Sequence, residues 1–282
     1  MTLLSGFSAA TADAFSKQES KYMTTIHLSW VREAYALPFM LPFLFFIEIP
    51  EVDAVFWWAI LACVVMDLFT TMLYMKAIKI APLSLTIPYM GLTPVFSLLI
   101  SYLVLGETVS WLGLLGILFI SFGAYILQID RAKYGLMEPI KAIFRNKGSL
   151  FMLIVSFSYA ITANLGKIAI IHSSPMFMAI IYFSGLALAF TPLVMTVGKT
   201  PPSKMFSRSF GKFKIGIAMA VMAITHFTAI SMINVAYMIS IKRLSLLFAI
   251  LYGWIIFKEQ NIKERLFGGM IIIAGAAIIA FA

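Results

Sequence analysis

The chain repeats itself, and the repeat is built of membrane-length helices. Phe7, Ser8, Ala10 and Lys17 recur 150 residues later as Phe157, Ser158, Ala160 and Lys167, and Pro42 recurs as Pro192. Towards the end of each half the offset is 152, where Phe96, Leu99, Glu107, Leu114, Gly116, Ile120, Gly123 and Ala124 meet Phe248, Leu251, Glu259, Leu266, Gly268, Ile272, Gly275 and Ala276. A register that drifts so little across a half points to duplication rather than chance matching between apolar helices. In a membrane chain, such duplication typically builds a transporter around a site between the copies.

Of the 282 residues, 62% are hydrophobic and 12% charged, and apolar stretches long enough to cross a ~30 Å hydrocarbon core recur along the whole length. They predict ten helices, at 1–19, 30–48, 54–78, 83–104, 110–129, 150–171, 176–197, 214–236, 237–257 and 264–282. The stretch from Met1 to Ser16 reads as a short first membrane helix rather than a signal peptide, because it lacks a basic n-region. Its shortness leaves room for a start further upstream. The expected organisation is a first five-helix repeat at 1–129, a linker at 130–149 with a short surface helix at 136–145, and a second repeat at 150–282. Five is an odd number, so two like-folded units must lie upside down relative to each other. The fold class that follows is an all-α integral membrane protein made of two inverted five-helix repeats, an arrangement suited to alternating access.

The single cysteine, Cys63, lies in an apolar helix and excludes an intramolecular disulfide. The formal charge of +9 fits Lys and Arg held at an anionic membrane surface rather than nucleic-acid binding. All basic residues except Lys167, Lys242 and Arg243 fall on or beside the odd-numbered connections between the predicted helices. The positive-inside rule therefore places those connections in the cytoplasm and both termini outside.

The run from Pro94 to Glu107, followed by Gly116 and Gly123, resembles the signature of the EamA-type drug/metabolite transporter superfamily. The second copy, Leu246 to Glu259 with Gly268 and Gly275, is similar, but Leu246 stands where the proline is usual and Lys242-Arg243 lies just upstream. Lys17 and Lys167 match the family's lysine at the end of the first and sixth helices. The resemblance covers essentially the whole chain. It implies export of a small metabolite, both termini inside (against the charge count) and residence in a prokaryotic inner membrane, and it leaves the substrate open.

Glycines seven apart, Gly116 with Gly123 and Gly268 with Gly275, put a small face on each helix for close packing. Pro88 and Pro94 interrupt the fourth helix as a hinge or a static kink. Glu107 and Glu259 fall at turns, where capping or interfacial pairing outweighs substrate contact. Ionisable groups at membrane depth default to functional hypotheses. Asp13 and Lys17 are spaced to pair along one helix face, and Asp67 sits near the middle of the third helix. In a continuous ninth helix Lys242 shares its face with Ser245 and Tyr252. Arg243, about 100° away, faces elsewhere, as an anchor or an acid's partner. The matching face of the fourth helix is Tyr89, Thr93 and Ser97. Lys242 is the first choice for substrate contact, against snorkelling or pairing with Asp13 or Asp67. Tyr74, His226 and Asn164 are further cavity candidates, and Lys167 is a charge candidate. His226 weighs packing against proton coupling.

The leading function is a secondary transporter of a small polar or amphipathic metabolite. A lipid or lipid-linked sugar flippase of the same fold is the alternative, and a membrane-embedded enzyme is less favoured. No phosphate-binding loop, His-Glu-x-x-His or clustered acid set occurs, so no cofactor or metal is expected. The expected partners are a small-molecule substrate and the bilayer, with no nucleic acid and with room for a homodimer.

Overall fold

A computed structural model describes residues 1–81, 83–126, 146–207, 209–258 and 262–282, and among these the chain is helical with no strand. The helices are α1 (Thr2–Glu19), α2 (Thr25–Ala34), α3 (Ala54–Ile80), α4 (Thr93–Leu105), α5 (Trp111–Ile126), α6 (Lys147–Ile171), α7 (Pro175–Thr196), α8 (Phe210–Met232), α9 (Val235–Lys242), α10 (Ser245–Phe257) and α11 (Ile262–Ala280). Six segments are long and apolar enough to cross a membrane, namely α3, Ile87–Leu105, α6, α7, α8 and Val235–Phe257, and two shorter apolar helices are Trp111–Ile126 and Phe267–Ala280. The polar load of α1 and α2, including Asp13, Ser16, His27, Ser29, Arg32 and Glu33, is buried against other helices rather than turned to lipid.

Several elements depart from the expected bounds. The second segment starts at Thr25, where the Thr24 side chain accepts from the His27 N–H, and it breaks into a four-residue helix Leu37–Met40 and a 3₁₀ stretch Leu41–Phe45. Pro38 and Pro42 cannot donate in a continuing helix, which explains the break. The expected helix 83–104 is in fact Leu83–Thr86, a 3₁₀ stretch Ile87–Leu92 and α4. Pro88 lies in that stretch and Pro94 opens α4 near its N-terminus, where its missing N–H is harmless. The expected helix 237–257 is two helices that part at Arg243 and Leu244. α6 begins ahead of the expected 150, because Asn146 Oδ1 accepts from the N–H groups of Gly148 and Ser149. The expected surface helix 136–145 and Glu259 lie outside the described residues.

Packing is exchanged between the halves. α1 lies chiefly on α8 and, by the same rule with the halves swapped, α3 lies on α6; α4 packs on α6 as α10 packs on α1; α2 meets α7 and α5 meets α11. The α5–α11 seam is backbone on backbone. A Cβ at Gly116 would stand 2.8 Å from Gly275 O, and one at Gly123 would stand 2.8 Å from Gly268 O. Position rises along α5 while it falls along α11, so these equivalent helices run antiparallel, as an inverted pair must.

The apolar segments Ile87–Leu105 and Val235–Phe257 each end at a left-handed residue. Gly106 caps α4 at φ 66°, while Lys258 caps α10 at φ 52°. A side chain makes this conformation costly by about 1–2 kcal/mol. Lys258→Gly is therefore expected to raise the melting temperature of the purified protein, and Gly106→Lys to lower it. Equal melting of both variants and the parent would remove the strain argument.

Candidate functional site

A cavity of about 150 Å³ lies between the halves, far more than the ~10–15 Å³ a single water requires. Its walls come from α1, α2, α3 and the 3₁₀ stretch on one side and from α6, α7, α8 and the α9–α10 break on the other. Met178, Phe183, Met219, Met222 and Phe227 supply an apolar lining. Among the described residues the seam helices α5 and α11 contribute none of the wall.

Lys242 and Arg243 both line this cavity. That corrects the expectation that they diverge. The 100° argument assumed a continuous helix, and the backbone instead ends α9 at Lys242 and restarts at Ser245, which also lines the cavity. α1 presses on the break, where a Cβ at Gly6 would lie 3.0 Å from Lys242 O. Lys242 Nζ lies 3.2 Å from His226 Nδ1 and 3.4 Å from Met222 Sδ. Arg243 donates from Nε to Ile239 O at 3.3 Å. Its two terminal nitrogens make no hydrogen bond, and neither cation has a carboxylate partner among the described residues. Arg243 is buried at the cavity wall, and no acid pairs with it among the described residues.

The acids are arranged differently. Asp13 pairs with Arg32 rather than Lys17: Arg32 Nη1 donates to Asp13 Oδ1 at 2.9 Å and to Ser16 Oγ at 3.1 Å, and Tyr74 OH donates to Asp13 Oδ2 at 2.5 Å. Tyr182 OH donates to Asp67 Oδ2 at 2.5 Å, while Asp67 Oδ1 makes no well-formed hydrogen bond. Glu33 is buried on the cavity wall, and its carboxyl makes no hydrogen bond among the described residues. Lys17 instead donates to Ala81 O at 2.6 Å and to Ile78 O, where α3 ends. Its counterpart Lys167 donates to Ile233 O at 2.8 Å, where α8 ends. These lysines cap equivalent helix termini and do not reach the cavity.

Other expected lining residues stand apart from the cavity. Tyr252 OH bonds to Thr11 Oγ1 at 2.8 Å. Asn164 donates back to Ala160 O at 2.8 Å. Tyr89, Thr93 and Ser97 are buried elsewhere, because the 3₁₀ stretch separates Tyr89 from α4 and places Ile87 and Met90 on the wall in its stead. Of the residues expected at the site, the structure brings together Lys242, Ser245, His226, Tyr74, Asp13, Asp67 and Arg243.

Arg32, Glu33, Tyr159 and Tyr182 were missed. Arg32 had been counted with a basic connection, yet it is 7% exposed inside α2. The signal was present: Arg32-Glu33 follows Leu28, Trp30 and Val31, and all three are buried.

At one end of the molecule the halves are fastened together. Glu107 Oε1 pairs with Lys167 at 2.9 Å and Glu107 Oε2 accepts from Val235 N–H at 2.8 Å. Asn234 Nδ2 donates to Thr108 O at 2.8 Å, and Tyr237 OH accepts from Ser110 N–H at 2.9 Å. A second tie joins the start of α3 to the end of α6, where Asp53 lies 2.7 Å from His172 Nδ1. The N–H of Phe56, donated to Asp53, holds that exposed carboxyl below its ordinary pKa.

A family model described as the EamA-like transporter family matches residues 1–129 and 146–281. A search by sequence of curated proteins gives no match. Twenty-five chains of solved structures match. One of them, a crystal structure 14% identical, superposes with a TM-score of 0.71 over 99% of this chain and 96% of its own. At that identity the likeness concerns the fold.

Proposed function

The chain belongs to the EamA-like transporter family, and we propose that it moves a small polar or amphipathic metabolite outward by alternating access through the cavity between its repeats. The protein is an integral membrane protein, and in this reading the two repeats, 1–129 and 150–282, each cross the bilayer five times. The observation that carries the reading is a cavity walled by both halves in which Lys242 and Arg243 pair with no carboxylate among the described residues. Buried charges without partners are expensive. A substrate carboxylate or phosphate supplies the missing acceptor, with the Arg243 guanidinium suited to two-point contact and Lys242 acting as a point charge beside His226.

Purified protein would be screened for a rise in melting temperature with amino acids, organic acids, nucleosides, sugars, phosphate esters and cationic drugs, since binding to the folded state stabilises it. Hits would then be tested for counterflow in liposomes. Anionic or zwitterionic solutes are expected to give both signals. Lys242→Gln and Arg243→Gln are each expected to weaken them roughly ten- to a hundredfold, the loss of one charge-assisted hydrogen bond worth about 1.5–3 kcal/mol. Undiminished counterflow in both variants would sink the anion site. Exchange of none of these solutes would turn the search to lipid-like cargo.

A further inference from the structure

The two ends of the molecule carry opposite charge. At one end lie the ends of α1 and α3 and the starts of α6 and α8. Lys17 of α1 donates to Ala81 O just past α3, Lys76 of α3 stands over the Phe151 ring of α6, and Lys214 of α8 stands over the Phe15 ring of α1. α10 ends there too, since it runs beside α1 in the same direction, Phe7 against Phe248 and Thr11 against Tyr252. Lys21, Lys76, Lys79, Lys147, Lys199, Lys204 and Lys258 are exposed on this end. Glu19, beside Gly211, is the one acid among them in the described residues. The opposite end gathers the start of α3, the ends of α4, α6 and α8 and the start of α9. Glu48, Glu51 and Asp53 are exposed there, and Lys167, its one lysine among the described residues, pairs with Glu107 at 2.9 Å.

Part of this asymmetry is visible only in three dimensions. Arg32, which the sequence puts on a basic connection, is buried inside. Lys212 is buried as well, its Nζ donating to Lys204 O, Met205 O and Ser207 Oγ. With both discounted, one end still presents a broad lysine surface and the other a single paired lysine.

We propose that the lysine-bearing end is the surface that meets the anionic headgroups of the cytoplasmic leaflet, so that the chain is inserted with Thr2 outside and Glu19 inside. Lys and Arg close to the ends of spanning helices set orientation, whereas Asp and Glu count for little. Anionic headgroups attract such cations within a Debye length of the surface. This is the reverse of the orientation that the family resemblance implies. It goes beyond the transport reading and holds whichever solute the cavity takes. In this orientation the Glu107–Lys167 fastening lies on the outer face, and Lys17 caps α3 on the inner one.

The test reads sidedness in cells that make the full chain. Cys63 is the only cysteine of the sequence, so Cys63→Ala gives a background for single cysteines at exposed positions. These are Glu48→Cys, Glu51→Cys and Trp111→Cys at one end, and Lys21→Cys, Lys147→Cys and Lys204→Cys at the other. A membrane-impermeant maleimide is applied before and after the membrane is broken open. The first three variants are expected to label fully in intact cells, and the other three only after breakage. The opposite pattern overturns the proposal. Labelling of both sets in intact cells overturns it too, since the chain would then insert both ways. Three positions at each end keep the reading when one variant fails to fold. The lysines themselves are tested in the Trp111→Cys variant by replacing the seven exposed ones with Gln and both Glu48 and Glu51 with Lys. Trp111→Cys is then expected to lose labelling in intact cells and regain it after breakage. Unchanged labelling would overturn the part assigned to the lysine surface.

Discussion

Gly123→Leu is expected to leave little folded protein in detergent, with a broad aggregated peak on gel filtration and a melting temperature lowered by many degrees. The added Cβ alone would stand 2.7 Å from Ile272 Cγ1, 2.8 Å from Gly268 O and 2.9 Å from the Ile272 nitrogen. Two of these are backbone atoms that no rotamer change can move. Overpacking in a core costs about 1–3 kcal/mol when side chains can give way, and here a whole helix would have to retreat along the seam. The control is Phe122→Leu one position away, a residue 55% exposed on the outside of the helix pair, which should behave as the parent does. Gly116→Leu should resemble Gly123→Leu, since its Cβ would lie 2.6 Å from Ile279 Cγ1. Normal gel-filtration profiles for both glycine variants would mean that α5 and α11 do not pack as described.

The second large effect concerns the Asp13–Arg32 pair. Removing one member leaves its partner as an uncompensated buried charge, at a cost of about 3–5 kcal/mol. Asp13→Asn and Arg32→Gln should each lower stability by that order. Replacing both together, as Asp13→Leu with Arg32→Met, should recover much of the loss, because a well-packed apolar pair of similar volume avoids desolvation altogether. Reversible unfolding of the two single variants, of Asp13→Leu and Arg32→Met alone, and of the double variant would read the coupling. Residues in contact typically couple by roughly 0.5–3 kcal/mol. Losses that simply add would show that the pair seen at 2.9 Å does no structural work.

What could be read ahead of the coordinates depended on whether a signal was local. The duplication and the glycine faces are properties of sequence spacing, and the antiparallel meeting of Gly116 with Gly275 and Gly123 with Gly268 follows from them. Lys242, Asp13 and Asp67 stood out because a charge in an apolar run has no other ready explanation. Arg32 and Glu33 did not stand out. His27, Ser29, Arg32 and Glu33 give α2 the polarity of a connection, and only packing against α3, α7 and α8 makes it interior. The break at Arg243-Leu244 was equally hidden, since neither residue is a Gly or Pro and the pressure on it comes from Gly6 of a distant helix. Once that break and the 3₁₀ stretch at Ile87–Leu92 are placed, the faces drawn for continuous helices no longer hold. Tyr89, Thr93, Ser97 and Tyr252 leave the cavity for that reason, and Arg243 joins it.

The exchange of packing between the halves bears on how the protein is made. α1 rests on α8 and α3 on α6, so the first repeat leaves the ribosome before its main neighbours exist. At ~5–20 residues per second, α1 waits on the order of ten seconds or longer for α8. During that interval its one deeply buried acid already has a mate, since Asp13, Arg32 and Tyr74 are all encoded before residue 75. The early half can thus rest in the bilayer with that charge answered. Lys242 and Arg243 follow only when nearly all of the walls that will surround them are already laid down.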